Sequence, residues 1–179
     1  MIGLRAALAT ALVVTLASAC SSGGSGPREG HDFHAGSFGG VPGLDNVYAG
    51  EHVGVAFPLI KNETSRPITI DRISLDHLPA GLRVTGYRAI SLRYGYIVLS
   101  RENKGGKDDF LTYPNLVHQG RLQIAPHSIG HVFFAVDLVA RKKNPGKASG
   151  CTIHYKVNGV RYFQTFHCAY NFTGHLLRP

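Results

Sequence analysis

The chain has 179 residues and carries 19 Lys and Arg against 11 Asp and Glu, a formal net charge of +8 with histidines neutral. That length gives one domain of ordinary size, able to bury a core without metal or extra crosslinks, and that charge favours anionic partners. The single methionine, Met1, excludes a Met-rich copper site, and the three cysteines can form at most one pair.

The chain opens MIGLR, runs apolar from Ala6 to Ala17, and then reads Ala17-Ser18-Ala19-Cys20. A cation, a short apolar stretch and small residues before a cut describe an export signal over residues 1–19. The run is too short for a comfortable membrane span. Cys20, directly behind the small residues, resembles the lipobox cysteine of bacterial lipoproteins. Leu16 stands four residues before it, where that family prefers three, and Ala17-Ser18-Ala19 also fits a plain secretory cut. The resemblance implies that Cys20 is lipidated on sulfur, freed by cleavage and acylated on its new amino end. It places the chain on the extracytoplasmic face of the cell membrane, held by lipid. An exported chain meets an oxidising compartment. With Cys20 taken by lipid, Cys151 and Cys168 are left to pair. Export also sets nucleic acid aside, leaving phospholipid headgroups, anionic envelope polymers or another envelope protein as partners.

After Cys20, SSGGSGPREG reads as a flexible tether. The glycine density of HDFHAGSFGGVPG, with no period-2 alternation, extends that tether to residue 43. The expected division is a signal over 1–19, a lipidated cysteine and tether over 20–43, and a folded domain over 44–179.

Within the domain, Glu51–Lys61 alternates Val53, Val55, Phe57 and Leu59 on one face. Pro58 predicts an edge position or a bulge there. ITIDRISL, residues 68–75, puts Ile68 and Ile70 in one phase and Ile73 and Leu75 in the other, which predicts a bulge near Asp71-Arg72. Leu82–Ile90 and Ser91–Ser100 read as strands, the latter interrupted by Gly95. Arg101–Asp109 is a charged loop, and Phe110–Gln119 is ambiguous. Gly120–Ala125 is a short strand, and His131–Ala140 is the most hydrophobic strand after the signal. Arg141–Gly150 is a basic, turn-rich loop, and the tail after Cys168 reads as a short edge strand.

Between that loop and the tail lies CTIHYKVNGVRYFQTFHC, residues 151–168, a hairpin around Asn158-Gly159. Alternation puts Cys151, Ile153, Tyr155 and Val157 on the core face, with Tyr162, Gln164, Phe166 and Cys168. A type I′ turn on Asn158-Gly159 sets Cys151 opposite Phe166. A type II′ turn on Gly159-Val160, or a wider loop, sets Cys151 opposite Cys168 as a close, non-hydrogen-bonded pair. The second register is preferred here, and in either a disulfide is expected.

No stretch keeps a helical period with caps. About eight short strands separated by Gly, Pro, Asn and Ser turns give an all-β antiparallel sandwich. Phe57–Asn62, ITIDRISL, IAPHSIGHVFFAVDL and the closing hairpin resemble the immunoglobulin-like domains of exported bacterial lipoproteins. The chain has no Trp, and its cysteines share one hairpin instead of bridging two sheets.

Histidine is the one compositional excess. Imidazole suits zinc and copper, so His127 and His131, His154 and His167, and His31 with His34 in the tether are the metal candidates. The plainer reading of each is a surface histidine. No nucleophile elbow, His-Glu-x-x-His or nucleotide loop occurs, so neither an enzyme nor a cofactor is expected. Arg141, Lys142, Lys143 and Lys147 are the candidate contacts to an anionic surface. Asn62-Glu63-Thr64 and Asn171-Phe172-Thr173 match the glycosylation pattern, which a bacterial lipoprotein has little use for. The function these readings imply is a lipid-anchored, noncatalytic binding or interaction module of the cell envelope, with an exported metal-binding protein as the alternative.

Overall fold

In the strand Ile68–His77 the apolar residues Ile68, Ile70, Ile73 and Leu75 are all buried, although their phase changes halfway along. The change is a bulge: Ile70 pairs with Tyr155 and Arg72 with His154, so Asp71 has no opposite residue. The extra residue turns Ile73 and Leu75 back to the core face and sends Asp71 and Arg72 to solvent.

The computed structural model describes residues 26–38, 40–102, 109–119 and 122–173; the expected export signal over 1–19 and Cys20 lie outside them. In chain order the strands are β1 Arg28–Glu29, β2 Phe33–Ala35, β3 His52–Ala56, β4 Ile60–Asn62, β5 Ile68–His77, β6 Leu82–Ser91, β7 Leu99–Arg101, β8 Leu122–Ile124, β9 Val132–Ala140, β10 Gly146–Val157 and β11 Val160–Phe172. One sheet has the order β1-β11-β10-β5-β8, a second β6-β9-β3-β7, and β2 pairs with β4 alone. The fold is all-β, and its neighbouring strands are antiparallel except for β1 beside β11. Among the described residues no helix is long and apolar enough to cross a membrane.

The two large sheets face each other across one apolar core. Ile68, Ile73, Ile153 and Tyr170 come from the first sheet, and Val53, Val55, Val136 and Leu138 from the second. A smaller cluster covers the outer side of the second sheet, where Phe110 and Phe133 meet edge-on at 5.9 Å between ring centres, with Ile90, Ala56 and Ala135 around them. Gly54 makes room for this layer, because a Cβ there would collide with the Phe110 ring.

Several expectations are corrected. Ser91–Ser100 is not one strand. It folds as a 3₁₀ turn over Leu92–Tyr94, breaks at Gly95 with φ +87°, and resumes only as the short β7. β3 ends at Ala56, before Pro58, and lies in the interior of its sheet between β9 and β7. The residues after Cys168 do not form a separate strand but continue β11 to Phe172.

The structured part also begins earlier than residue 44. β1 pairs with β11, β2 pairs with β4, and Phe33 is buried against the edge of Tyr155 at 4.9 Å. The amide of Gln164 holds the main chain of Phe33 from both sides, accepting from its N–H at 3.0 Å and donating to its carbonyl at 2.8 Å. The buried Tyr155 hydroxyl donates to Asp32 at 2.6 Å, across the space that a side chain at residue 30 would fill.

In the closing hairpin Val157 lies opposite Val160, so the turn is Asn158-Gly159, with φ of +50° and +81°. Those two positive values are the type I′ geometry that Asn-Gly accepts. Cys151 is therefore opposite Phe166, not Cys168 as preferred above. A register step between Ser149 and Cys151, at Gly150 with φ +74°, adds one residue on the β11 side. That step carries Cys168 to 5.8 Å from Cys151 between Cα atoms, and the disulfide forms.

Candidate functional site

The basic turn is held from both sides by the main chain. Arg141 N–H donates to the Gly81 carbonyl at 2.8 Å, and Asn144 N–H to the Val47 carbonyl at 2.9 Å. Pro145 is buried beneath it, close against Gly81. Arg141, Lys142 and Lys143 are thereby presented outward from the β9–β10 connection, and Lys147, the second residue of β10, is exposed close by in sequence. The Lys143 ammonium lies 5.6 Å from the ring centre of Tyr48, which is 55% exposed; this is a cation–π contact. Glu51 accepts from Tyr48 N–H at 2.8 Å and is ion-paired with Arg101 at 2.6 Å, so its charge is already met. The four ion pairs of the described residues join Lys61 to Glu63, Arg88 to Asp137, Arg101 to Glu51 and Lys156 to Asp71. Among the described residues none involves Arg141, Lys142, Lys143 or Lys147.

The histidines do not come together. His127 occupies the turn after β8 at φ +51°, and His131 stands just before β9, both exposed. His154, in the middle of β10, is 3.0 Å from the Arg72 guanidinium and opposite Phe163. His167 is exposed on β11, between Phe166 and Cys168. The His154 pKa is lowered, first by partial burial and then by the Arg72 charge, against the opposing pull of Asp76 and Asp71. In the amino-terminal segment His31 and His34 are exposed. Among the described residues no three His, Cys, Asp or Glu are placed to hold a metal ion.

Two features escaped the sequence reading. An open cleft of about 450 Å³ lies near the hairpin turn, lined in part by Glu29, His31, Asp32, Arg66 and Tyr162. Its walls need the amino-terminal segment folded onto β11, which glycine-rich composition conceals. The second feature is the use of the two Asn-x-Thr sequences. Asn62 is completely buried, its amide donating to the carbonyls of Arg66, Ile124 and Ala125 at 2.7, 3.2 and 3.1 Å. Its Oδ1 accepts from the N–H and hydroxyl of Thr64, both at 2.9 Å. Asn171 repeats the local turn with Thr173, at 3.1 and 2.8 Å. Both sites are thus side-chain-stabilised turns, and the Asn62 amide is committed inside the fold.

Burial also raises the pKa of the Tyr96, Tyr155 and Tyr170 hydroxyls, which act as hydrogen-bond donors. Tyr170 on β11 donates to the Ala56 carbonyl of β3 at 2.6 Å and so ties the two sheets together, while Tyr96 donates to the Phe57 carbonyl at 2.8 Å and holds its loop against the end of β3. No protein-family model and no curated protein matches the chain. The fold and surface define an all-β sandwich with a disulfide-closed hairpin and an exposed basic turn.

Proposed function

We propose that this chain is a lipid-anchored, noncatalytic binding or interaction module on the outer face of a bacterial cell envelope, an immunoglobulin-like sandwich tied to the membrane through Cys20. The observation that carries this reading is the cysteine economy. Cys151 and Cys168 are joined, as an oxidising compartment allows, and the one cysteine left over stands directly behind an export signal. The exposed basic turn supports a surface that works by contact. Copper or zinc binding has less support, because the four domain histidines lie on separate strands and turns.

Metabolic labelling with an alkyne fatty acid tests the anchor. The full chain takes up label, and Cys20→Ala does not. Label that persists in Cys20→Ala would overturn the assignment.

A further inference from the structure

The two ends of the sandwich are not equivalent with respect to the tether. β1 runs parallel to β11 with Arg28 opposite Tyr162, close after the Asn158-Gly159 turn. The chain before Arg28 therefore leaves at the hairpin-turn end. β10 starts at the other end, directly after the basic turn, and takes 12 residues to reach the hairpin turn. Arg28 is level with Tyr162 and hence with Tyr155, nine residues from the start of β10, and at about 3.3 Å per residue that is about 30 Å. Cys20 precedes Arg28 by eight residues, which span about 28 Å when fully extended. Standing upright on a tether that short, the sandwich points its basic end away from the bilayer that holds Cys20.

We propose that the basic end, Arg141, Lys142, Lys143 and Lys147 with the exposed ring of Tyr48, docks a linear, phosphate-bearing polyanion lying beyond the anchoring bilayer. Charge complementarity selects the occupant. Four cations without acidic partners among the described residues are displayed outward on one turn and the strand start that follows it. Lysine ammonium groups meet phosphate as point charges, and several such contacts along a repeating chain of phosphates add up where one small anion would be held weakly. The direction in which this end points rests on the Cys20 anchor; its charge does not.

The test uses the full chain and its Cys20→Ala form, with inorganic polyphosphate as probe. A variant carrying Arg141→Gln, Lys142→Gln, Lys143→Gln and Lys147→Gln is compared with one carrying Arg28→Gln, Arg66→Gln, Arg93→Gln and Arg161→Gln. The second removes the same charge from exposed positions at the hairpin-turn end. Polyphosphate affinity should fall more than tenfold in the first and less than threefold in the second, and should weaken as salt is raised. Unfolding midpoints unchanged from the parent show that both variants remain folded. Equal losses in the two variants, or no binding by the parent, overturn the proposal. So does binding of the Cys20→Ala form to phosphatidylglycerol vesicles that is as tight as its polyphosphate binding and is lost with the same four cations, since the occupant is then a membrane. Failure of the anchor reading shows separately, as a full chain without lipid, and leaves the polyphosphate comparison intact.

Discussion

Asn62→Ala tests how the sandwich satisfies its buried main chain. The amide of Asn62 serves the Arg66, Ile124 and Ala125 carbonyls, and its oxygen serves Thr64. A net hydrogen bond contributes about 1 kcal/mol, and a buried group left unpaired costs about 1–3 kcal/mol. The partners nearer the surface regain water, whereas the bond to Ile124 lies in the buried interior. The sum is a loss of about 3 kcal/mol, or a fall of roughly 9 °C in Tm for a domain of this size. Thr64→Val removes only the hydroxyl contacts and should cost about 1 kcal/mol. Asn62→Asp places a carboxyl against three carbonyl oxygens, which raises its folded pKa above the unfolded value. Its stability is then retained at low pH and lost as pH rises, so Asn62→Asp should be worse at pH 7 than at pH 4.5 relative to the parent. Urea unfolding followed by circular dichroism reads all three. An Asn62→Ala protein within 1 kcal/mol of the parent would refute the reasoning, because the carbonyls would then need no amide.

The other predictions are simpler. Cys151→Ala with Cys168→Ala opens a loop whose ends are 17 residues apart, and in the chain-entropy model this costs about 3 kcal/mol through the unfolded chain. Intact mass after alkylation without reductant should find no free thiol at either position in the parent, and thermal unfolding reads the loss. His154 titrates below its ordinary value of 6.5, by burial first and Arg72 second. The unfolded chain therefore takes the proton more readily, and stability present above pH 6.5 declines as pH falls through that range. His154→Gln should flatten that slope, and an NMR titration should place the midpoint under 6.5; a midpoint at or above 6.5 would contradict the local geometry.

What could be read from the sequence follows the strength of the local signal. The two phases of Ile68, Ile70, Ile73 and Leu75 reported the bulge at Asp71, because period 2 is a direct consequence of strand geometry. The all-β class and the disulfide were legible for the same reason. The hairpin register follows the Asn158-Gly159 turn, but it was misjudged by requiring Cys151 to face Cys168, whose approach depends instead on a bulge at Gly150 beyond that register. β1 and β2 were hidden because strands of 2 and 3 residues are too short to show alternation, and distant groups such as Gln164 and Tyr155 hold them. The layer around Phe110 and Phe133 was hidden because it packs on the outer side of a sheet, where period 2 predicts polar residues. The basic turn was visible as composition, but its seat on the Gly81 and Val47 carbonyls and the Lys143–Tyr48 contact depend on segments distant in sequence.

The first described strand lies against the last. β1 joins its sheet only through β11, and Leu44 and Pro42 also bond to Asn171 near the end of β11. A polypeptide delivered amino end first must hold these early residues unmatched until almost its whole length has arrived, because contacts so distant in sequence form late. These early residues are therefore among the last to be fixed, once β11 supplies their neighbour and the disulfide closes.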